Sequence, residues 1–175
     1  MRNWLAALAL GLPMVAFAGD NTLGGFYAGG GLADVKMRFD EGGSLDWTAV
    51  EALGGYKHNA YLGGEARVGF ASEHGIDLLY NTLYFRTESS NDTAKTYLLL
   101  GYSFGVLKLD ESDEGEDDTV SVNGLAYGAG VGFAVTPQLN FNIEYQMIMD
   151  GDAKYEGESQ DMELSGVSLN LDYRF

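Results

Sequence analysis

The stretch Gly166 to Phe175, GVSLNLDYRF, decides the fold. Side chains alternate across a β-strand with period two. Val167, Leu169, Leu171, Tyr173 and Phe175 therefore share one side, and Gly166, Ser168, Asn170, Asp172 and Arg174 share the other. The strand carries an unbroken apolar face up to its terminal aromatic, with no tail to cover it. Such a face suits a sheet whose last strand closes onto its first.

Working outward from it, the same alternation recurs along the chain. A first strand from Phe26 sets Tyr27, Gly29, Gly31, Ala33, Val35, Met37 and Phe39 against Phe26, Ala28, Gly30, Leu32, Asp34, Lys36 and Arg38. A second, Trp47 to Lys57, sets Val50, Ala52, Gly54 and Tyr56 against Ala49, Glu51, Leu53, Gly55 and Lys57. A third opposes Leu62, Gly64, Ala66, Val68 and Phe70 to Gly63, Glu65, Arg67 and Gly69. The fourth, Ile76 to Thr87, has mixed faces whose register the pattern leaves open. The fifth turns Leu98, Leu100, Tyr102, Phe104 and Val106 one way, and the sixth does the same with Leu125, Tyr127, Ala129, Val131 and Phe133. In the seventh, Leu139, Phe141, Ile143, Tyr145, Met147 and Met149 oppose Asn140, Asn142, Glu144, Gln146 and Asp150. Turn-forming residues separate the strands, with short turns expected near His58, Asn91 and Pro137, and long acidic loops at Asp110 to Asp118 and Asp150 to Asp161. The closing strand makes eight. The expected fold is all-β, an eight-stranded antiparallel up-and-down barrel with no helical pattern and no domain boundary.

Alternation leaves open whether the apolar side meets lipid or a dry core. The polar side is dominated by Gly, Ala, Ser and Asn with charges of both signs, which suits the narrow, filled interior of an eight-stranded barrel. The apolar side carries aromatics near strand ends (Tyr56, Phe70, Tyr145, Tyr173, Phe175), as membrane-interface girdles do. Loops alternate between short and long, as in bacterial transmembrane barrels. A soluble barrel with its apolar face inward is disfavoured on all three counts. Closure also satisfies every backbone N–H and C=O, which hydrocarbon cannot do. The expectation is a transmembrane β-barrel with both ends on the periplasmic side.

The amino terminus fits export. Arg2, the apolar run Trp4 to Leu12 and the small-x-small site Ala16-Phe17-Ala18 follow the order of a cleaved signal peptide over residues 1–18, leaving residues 19–175 as the barrel domain. The apolar run is shorter than the about 20 residues of a spanning helix. Gly contributes 25 of 175 residues, against a usual share of about 7%, and aromatics reach 13%, a mix suited to paired strands. No cysteine is present, which excludes disulfides, thiolate metal sites and a lipoprotein anchor. A formal charge of −16 argues against nucleic acid as a partner.

Over its mature length the chain resembles the OmpA/OmpX-like family of small, porin-like outer-membrane β-barrels. The family's assembly signal is a terminal aromatic with apolar residues at alternate preceding positions. Val167, Leu169, Leu171, Tyr173 and Phe175 match it. The resemblance implies placement in the outer membrane of a Gram-negative cell envelope, recognition by the barrel-assembly machinery, and contact with the lipid bilayer and lipopolysaccharide. The peptidoglycan-binding domain that OmpA itself carries is missing, so cell-wall anchoring does not transfer.

Three chemistries are then weighed. Asp34, Lys36, Arg38, Glu51, Glu65, Arg67, Glu144, Asp172 and Arg174 are expected inside the tube as a salt-bridge network, with Glu65 or Glu144 paired to Arg67 or Arg174, because unpaired charges in a narrow interior are costly. A polar conduit lined by the same groups is the alternative. In the acidic run, Asp110, Asp113, Glu114, Asp117 and Asp118 are weak candidates for a divalent cation, whose preferred ligands are carboxylate oxygens. Ser121 stands where an EF-hand glutamate would be, so a solvated, self-repelling loop is favoured. Some small outer-membrane barrels modify lipid A. Here the only histidines, His58 and His74, fall in a turn and a loop, and no His-x-Ser motif accompanies them. The expectation is therefore a monomeric, non-enzymatic barrel without cofactor or catalytic residues. Its role is structural or adhesive, through acidic outer loops that display a surface to host ligands. A narrow channel or sensor is the alternative.

Overall fold

A computed structural model describes residues 24–39, 43–73, 75–89, 93–109, 118–155 and 158–175. Eight antiparallel strands run β1 (Gly25–Phe39), β2 (Ser44–Lys57), β3 (Leu62–Glu73), β4 (Ile76–Glu88), β5 (Ala94–Leu109), β6 (Asp118–Ala134), β7 (Leu139–Tyr155) and β8 (Glu158–Arg174). Each pairs with its neighbour in sequence, and β1 also pairs with β8 from Tyr27↔Arg174 to Phe39↔Met162, closing the barrel. No edge strand is left, so the ladder is complete all the way round.

Two turns on the side of the chain ends are tight for identifiable reasons. Asn59 Oδ1 accepts from the N–H groups of Tyr61 and Leu62 at 2.8 and 2.9 Å. Thr136 Oγ1 accepts from Leu139 N–H at 3.0 Å, and Pro137 sits where no ladder donor is needed. The opposite ends run further than the sequence suggests. Asp150 to Asp161 was expected to be a loop, yet β7 continues to Tyr155 and β8 starts at Glu158, with Asp152 opposite Asp161. Acidic residues that look like a solvated loop are equally compatible with a hairpin whose two faces both meet water.

The strand lengths explain this extension. Five strands have 15 to 17 residues. At about 3.3 Å per residue and a tilt of about 40°, such a strand rises on the order of 40 Å. The apolar belt of a bacterial barrel is only about 25 Å tall. The surplus must leave the lipid on the extracellular side, since the tight turns lie directly under the belt.

The side chains obey this division. In the lower half the outward residues are apolar and exposed, among them Leu83, Leu98, Leu100, Ile143 and Leu169, with Leu100 at 62%. Aromatics ring the lower edge at Phe26, Tyr56, Phe85, Phe133 and Tyr173. In the upper half the pattern inverts. Asp34, Asp46, Thr48, Ser72, Asp77, Lys108, Asp150 and Glu163 are exposed on the outer wall. Val35, Met37, Trp47, Leu78, Ile148, Met149, Met162 and Leu164 fill the tube as one buried apolar cluster. The molecule is a membrane barrel below and a water-soluble barrel above.

This inversion corrects three expected lumen residues. Asp34 and Arg38 are exposed and Lys36 is half-exposed on the outer wall of β1, and Lys36 pairs there with Asp46 at 3.1 Å. Their neighbours along β1, Ala33, Val35 and Met37, are the buried ones. The alternation was read correctly, but the polar side of β1 faces water above the lipid rather than the lumen. A β-bulge between Met147 and Met149 makes the second correction. One extra residue reverses the faces of β7 beyond it, so Ile148 and Met149 are both buried while Asp150 points out.

Candidate functional site

The chemistry of the barrel is concentrated in the lower lumen. Three inward tyrosines each lie directly opposite an inward glycine on the adjoining strand: Tyr27↔Gly55, Gly69↔Tyr80 and Tyr97↔Gly130. A Cβ at any of these glycines would come within 2.0–2.6 Å of the facing tyrosine's ring and hydroxyl, so each ring occupies the space that a side chain there would need. This posture delivers three hydroxyls to three carboxylates. Tyr27 donates to Glu65 Oε2 at 2.7 Å, Tyr80 to Glu51 Oε1 at 2.7 Å and Tyr97 to Glu144 Oε1 at 2.5 Å.

Arg67, 2% exposed, is the hub that these carboxylates surround. Its Nη1 and Nη2 donate to Glu144 Oε2 and Oε1 at 2.5 and 2.9 Å, a two-pronged contact matched to the planar guanidinium. Its Nε donates to Glu65 Oε1 at 2.5 Å, and Glu51 Oε2 lies 3.9 Å away. Gln146 and Ser168 complete the shell, the latter donating to Glu144 at 3.1 Å. Glu65 in turn accepts from Arg86 Nη1 at 2.8 Å, and the Arg86 guanidinium lies 3.8 Å from the centre of the Tyr97 ring. Arg86 Nε reaches Glu88 at 3.2 Å, and Glu88 also contacts Lys57. From Glu51 through Arg67, Glu65 and Arg86 to Glu88, each buried charge thus lies within 4 Å of an opposite one, as a confined, low-dielectric space requires.

Glu51, Glu65, Arg67 and Glu144 are the expected network residues that the fold brings together. Asp172 is buried, and accepts from the amides of Asn140 and Asn142 at 2.8 and 2.6 Å instead of joining a cation. Arg174 stands at the periplasmic mouth, 3.7 Å from Glu88. Sequence reasoning overlooked Arg86, Glu88 and Lys95. Glu88 borders the turn expected near Asn91, yet β4 carries it inward, where it is buried. The signal was present: with Leu79, Leu83 and Phe85 outward, the alternate positions Tyr80, Thr82, Tyr84, Arg86 and Glu88 must point in.

Other expected positions are quickly placed. Val167, Leu169, Leu171 and Tyr173 face outward and exposed, and the Phe175 N–H donates to Phe26 O at 3.0 Å, which seals the barrel seam. Asp110, Asp113, Glu114 and Asp117 lie outside the described residues, as does the side chain of Asp118. His74 and residues 1–23 also lie outside them, and His58 sits exposed in the β2–β3 turn.

A closed eight-stranded barrel with an apolar belt outside and a charged lumen is the build of a bacterial outer-membrane protein. A family model described as outer membrane protein beta-barrel domain matches residues 4–175, and the chain belongs to that family. Its place is therefore the bacterial outer membrane, embedded in the lipid bilayer. Among solved structures, Neisserial surface protein A is 19% identical with a TM-score of 0.71, covering 86% of this chain and 97% of its own. The attachment invasion locus protein of Yersinia pestis is 20% identical with a TM-score of 0.61, covering 88% and 99%. The outer membrane protein OprG from Pseudomonas aeruginosa is 16% identical with a TM-score of 0.61, covering 90% and 98%. At these identities the likeness is one of fold. A comparison with curated protein sequences finds no match.

Proposed function

We propose that this protein is a non-enzymatic barrel whose role is structural or adhesive, exerted through what it displays outside the cell. The observation that carries this reading is the filled tube. Any solute entering from the periplasm meets Arg67 locked among carboxylates, and beyond it the buried apolar cluster of Val35, Met37, Trp47, Leu78, Met149 and Leu164. Work at the surface then falls to the raised rim, where the strands climb out of the lipid. The attachment invasion locus protein has been solved with a heparin analogue, sucrose octasulfate. A sulfated polyanion is a poor match for the present chain, whose run Asp110 to Asp118 holds seven acidic residues in nine. Its partner is expected to be basic, or bridged by divalent cations to lipopolysaccharide phosphates.

Residues 1–18 fit a cleaved export signal, and the Val167 to Phe175 ladder fits the handle grasped by the barrel-assembly machinery. A channel is the second reading, since charged residues do line the lower lumen. Planar-bilayer recording separates the two: the adhesive reading predicts no conductance beyond rare brief openings, and steady single-channel steps would overturn it. Deletion of Asp110 to Asp118 is expected to abolish binding to host cells or matrix without affecting insertion. Unchanged binding would remove the adhesive role.

A further inference from the structure

The lipid-facing wall is not uniform. A groove of about 740 Å³ crosses it from β4 to β8, and the strand register gives its course. Thr87, Leu98, Ala129, Tyr145 and Val167, all on its lining, lie directly opposite one another on successive strands. Leu98 and Tyr145 are 59% and 58% exposed and stand out into the lipid as its walls. Val131 and Ile143, paired one row nearer the periplasm, are only 37% and 39% exposed and lie lower, beside the short side chain of Ala129. Tyr97 and Glu144 also border the groove; their side chains are buried in the lumen, so what they present outside is backbone.

This row climbs the wall. Thr87 stands one residue from the periplasmic end of its strand, and Val167 stands seven from the periplasmic end of its own. The difference corresponds to a rise of about 15 Å at the usual strand spacing and tilt. A hydrocarbon core about 30 Å thick gives each leaflet about 15 Å. The groove therefore runs from the periplasmic edge of the belt to the middle of the bilayer, the reach of one acyl chain.

Its lower end is hydroxylic. Thr87, Ser89 and Thr96 line it there, just beneath the aromatic edge at Phe85. Ser89 Oγ accepts from the Thr96 N–H at 3.0 Å and keeps its own proton to donate. Hydroxyl donors at the level where hydrocarbon gives way to headgroups suit the carbonyl oxygens of a lipid ester.

We propose that this groove seats one acyl chain of a glycerophospholipid from the periplasmic leaflet, with the ester carbonyls at the Thr87, Ser89 and Thr96 hydroxyls. Its place in the apolar belt makes lipid its neighbour, its rise matches one chain, and its polar end lies on the periplasmic side. A lipid of the outer leaflet would bring only the ends of its chains here and leave the hydroxyls unmet. Inside a membrane such a contact is held by close packing and hydrogen bonds, because hydrocarbon on both sides removes the hydrophobic driving force.

The test is native mass spectrometry of the mature barrel in uncharged detergent, titrated with dipalmitoyl phosphatidylethanolamine. Binding should saturate at one lipid per barrel. Ala129→Trp fills the groove from its floor and should abolish that bound state. Val50→Trp, on the lipid-facing wall of β2, should bind like the wild type. Both variants place an indole against lipid, so a general effect of bulk would appear in both. Thr87→Val/Thr96→Val should weaken binding about fivefold, the scale of polar contacts between groups within a membrane. In nanodiscs, a phosphatidylcholine with a diazirine in its acyl chain should label β6 and β7 around Val131 and Ile143 above the rest of the wall. Binding that never saturates, equal binding by wild type and Ala129→Trp, or label spread evenly round the barrel overturns the proposal. Tighter binding of lipid A than of the phospholipid overturns the assignment to the periplasmic leaflet.

Discussion

The lower and upper halves of this barrel use the same strands and the same alternation, yet bury opposite kinds of residue. Below, Leu98, Leu100 and Leu169 face out while Arg67, Glu144 and Glu65 lie inside; above, Asp34, Asp77 and Glu163 face out while Met37, Leu78 and Leu164 lie inside. The change of solvent explains the change of pattern. Hydrocarbon around the lower half accepts only apolar side chains, so polar ones are forced inward and must pair. Water around the upper half restores the usual rule that apolar surface is buried. A barrel that crosses a membrane surface must therefore switch polarity at that surface, and the switch marks where the lipid stops.

The two halves should respond differently to damage, and the largest response belongs below. Arg67→Met leaves Glu51, Glu65 and Glu144 without their shared cation, and should cost about 3–5 kcal/mol in urea unfolding from detergent micelles. Adding Glu144→Gln to that variant should recover part of the loss. A cost below about 1 kcal/mol for Arg67→Met alone would show the lumen to be well hydrated. In the upper half, Leu78→Ala should cost about 3 kcal/mol by the ordinary rule for a buried leucine, with no recovery available from a second polar change.

The outer wall gives the next contrast. Leu100→Lys places a charge in the apolar belt and should cost about 2–4 kcal/mol near mid-membrane. Asp34→Lys, on the outer wall above the belt, should stay within about 0.5 kcal/mol. Similar values for the two would mean that the belt has been misplaced. A comparably small effect is expected at the exposed Lys36–Asp46 pair, where Lys36→Met should change stability by less than about 1 kcal/mol.

Much of this was legible in the sequence, and the exceptions share a cause. Period-two alternation identifies the faces of β2, β3, β5, β6 and β8, and the Val167 to Phe175 ladder points to closure. Alternation separates two sides of a strand but carries no label for what lies beyond either. Asp34, Lys36 and Arg38 were placed in the lumen because the lower-half rule was extended past the edge of the lipid. Met149 and Asp150 were misassigned because a bulge leaves no mark in composition. The Arg67 hub was foreseeable from charge economy, whereas its setting was not. The pairing of Tyr27, Tyr80 and Tyr97 with Gly55, Gly69 and Gly130 depends on strand register, and register links positions tens of residues apart. Arg86 and Glu88 followed once the faces of β4 were assigned, and Lys95 from the alternation of β5 carried to its first turn.

The polarity switch is tested most directly by measuring what touches the wall. The chain has no cysteine, so single cysteines at Leu100, Leu169, Asp34 and Glu163 can carry nitroxide labels in reconstituted bilayers. Power-saturation spectroscopy should find Leu100 and Leu169 accessible to oxygen and shielded from a water-soluble nickel chelate, with Asp34 and Glu163 showing the reverse. Oxygen-dominated accessibility at Asp34 and Glu163 would mean that lipid covers the whole wall, and the two-solvent account would be wrong.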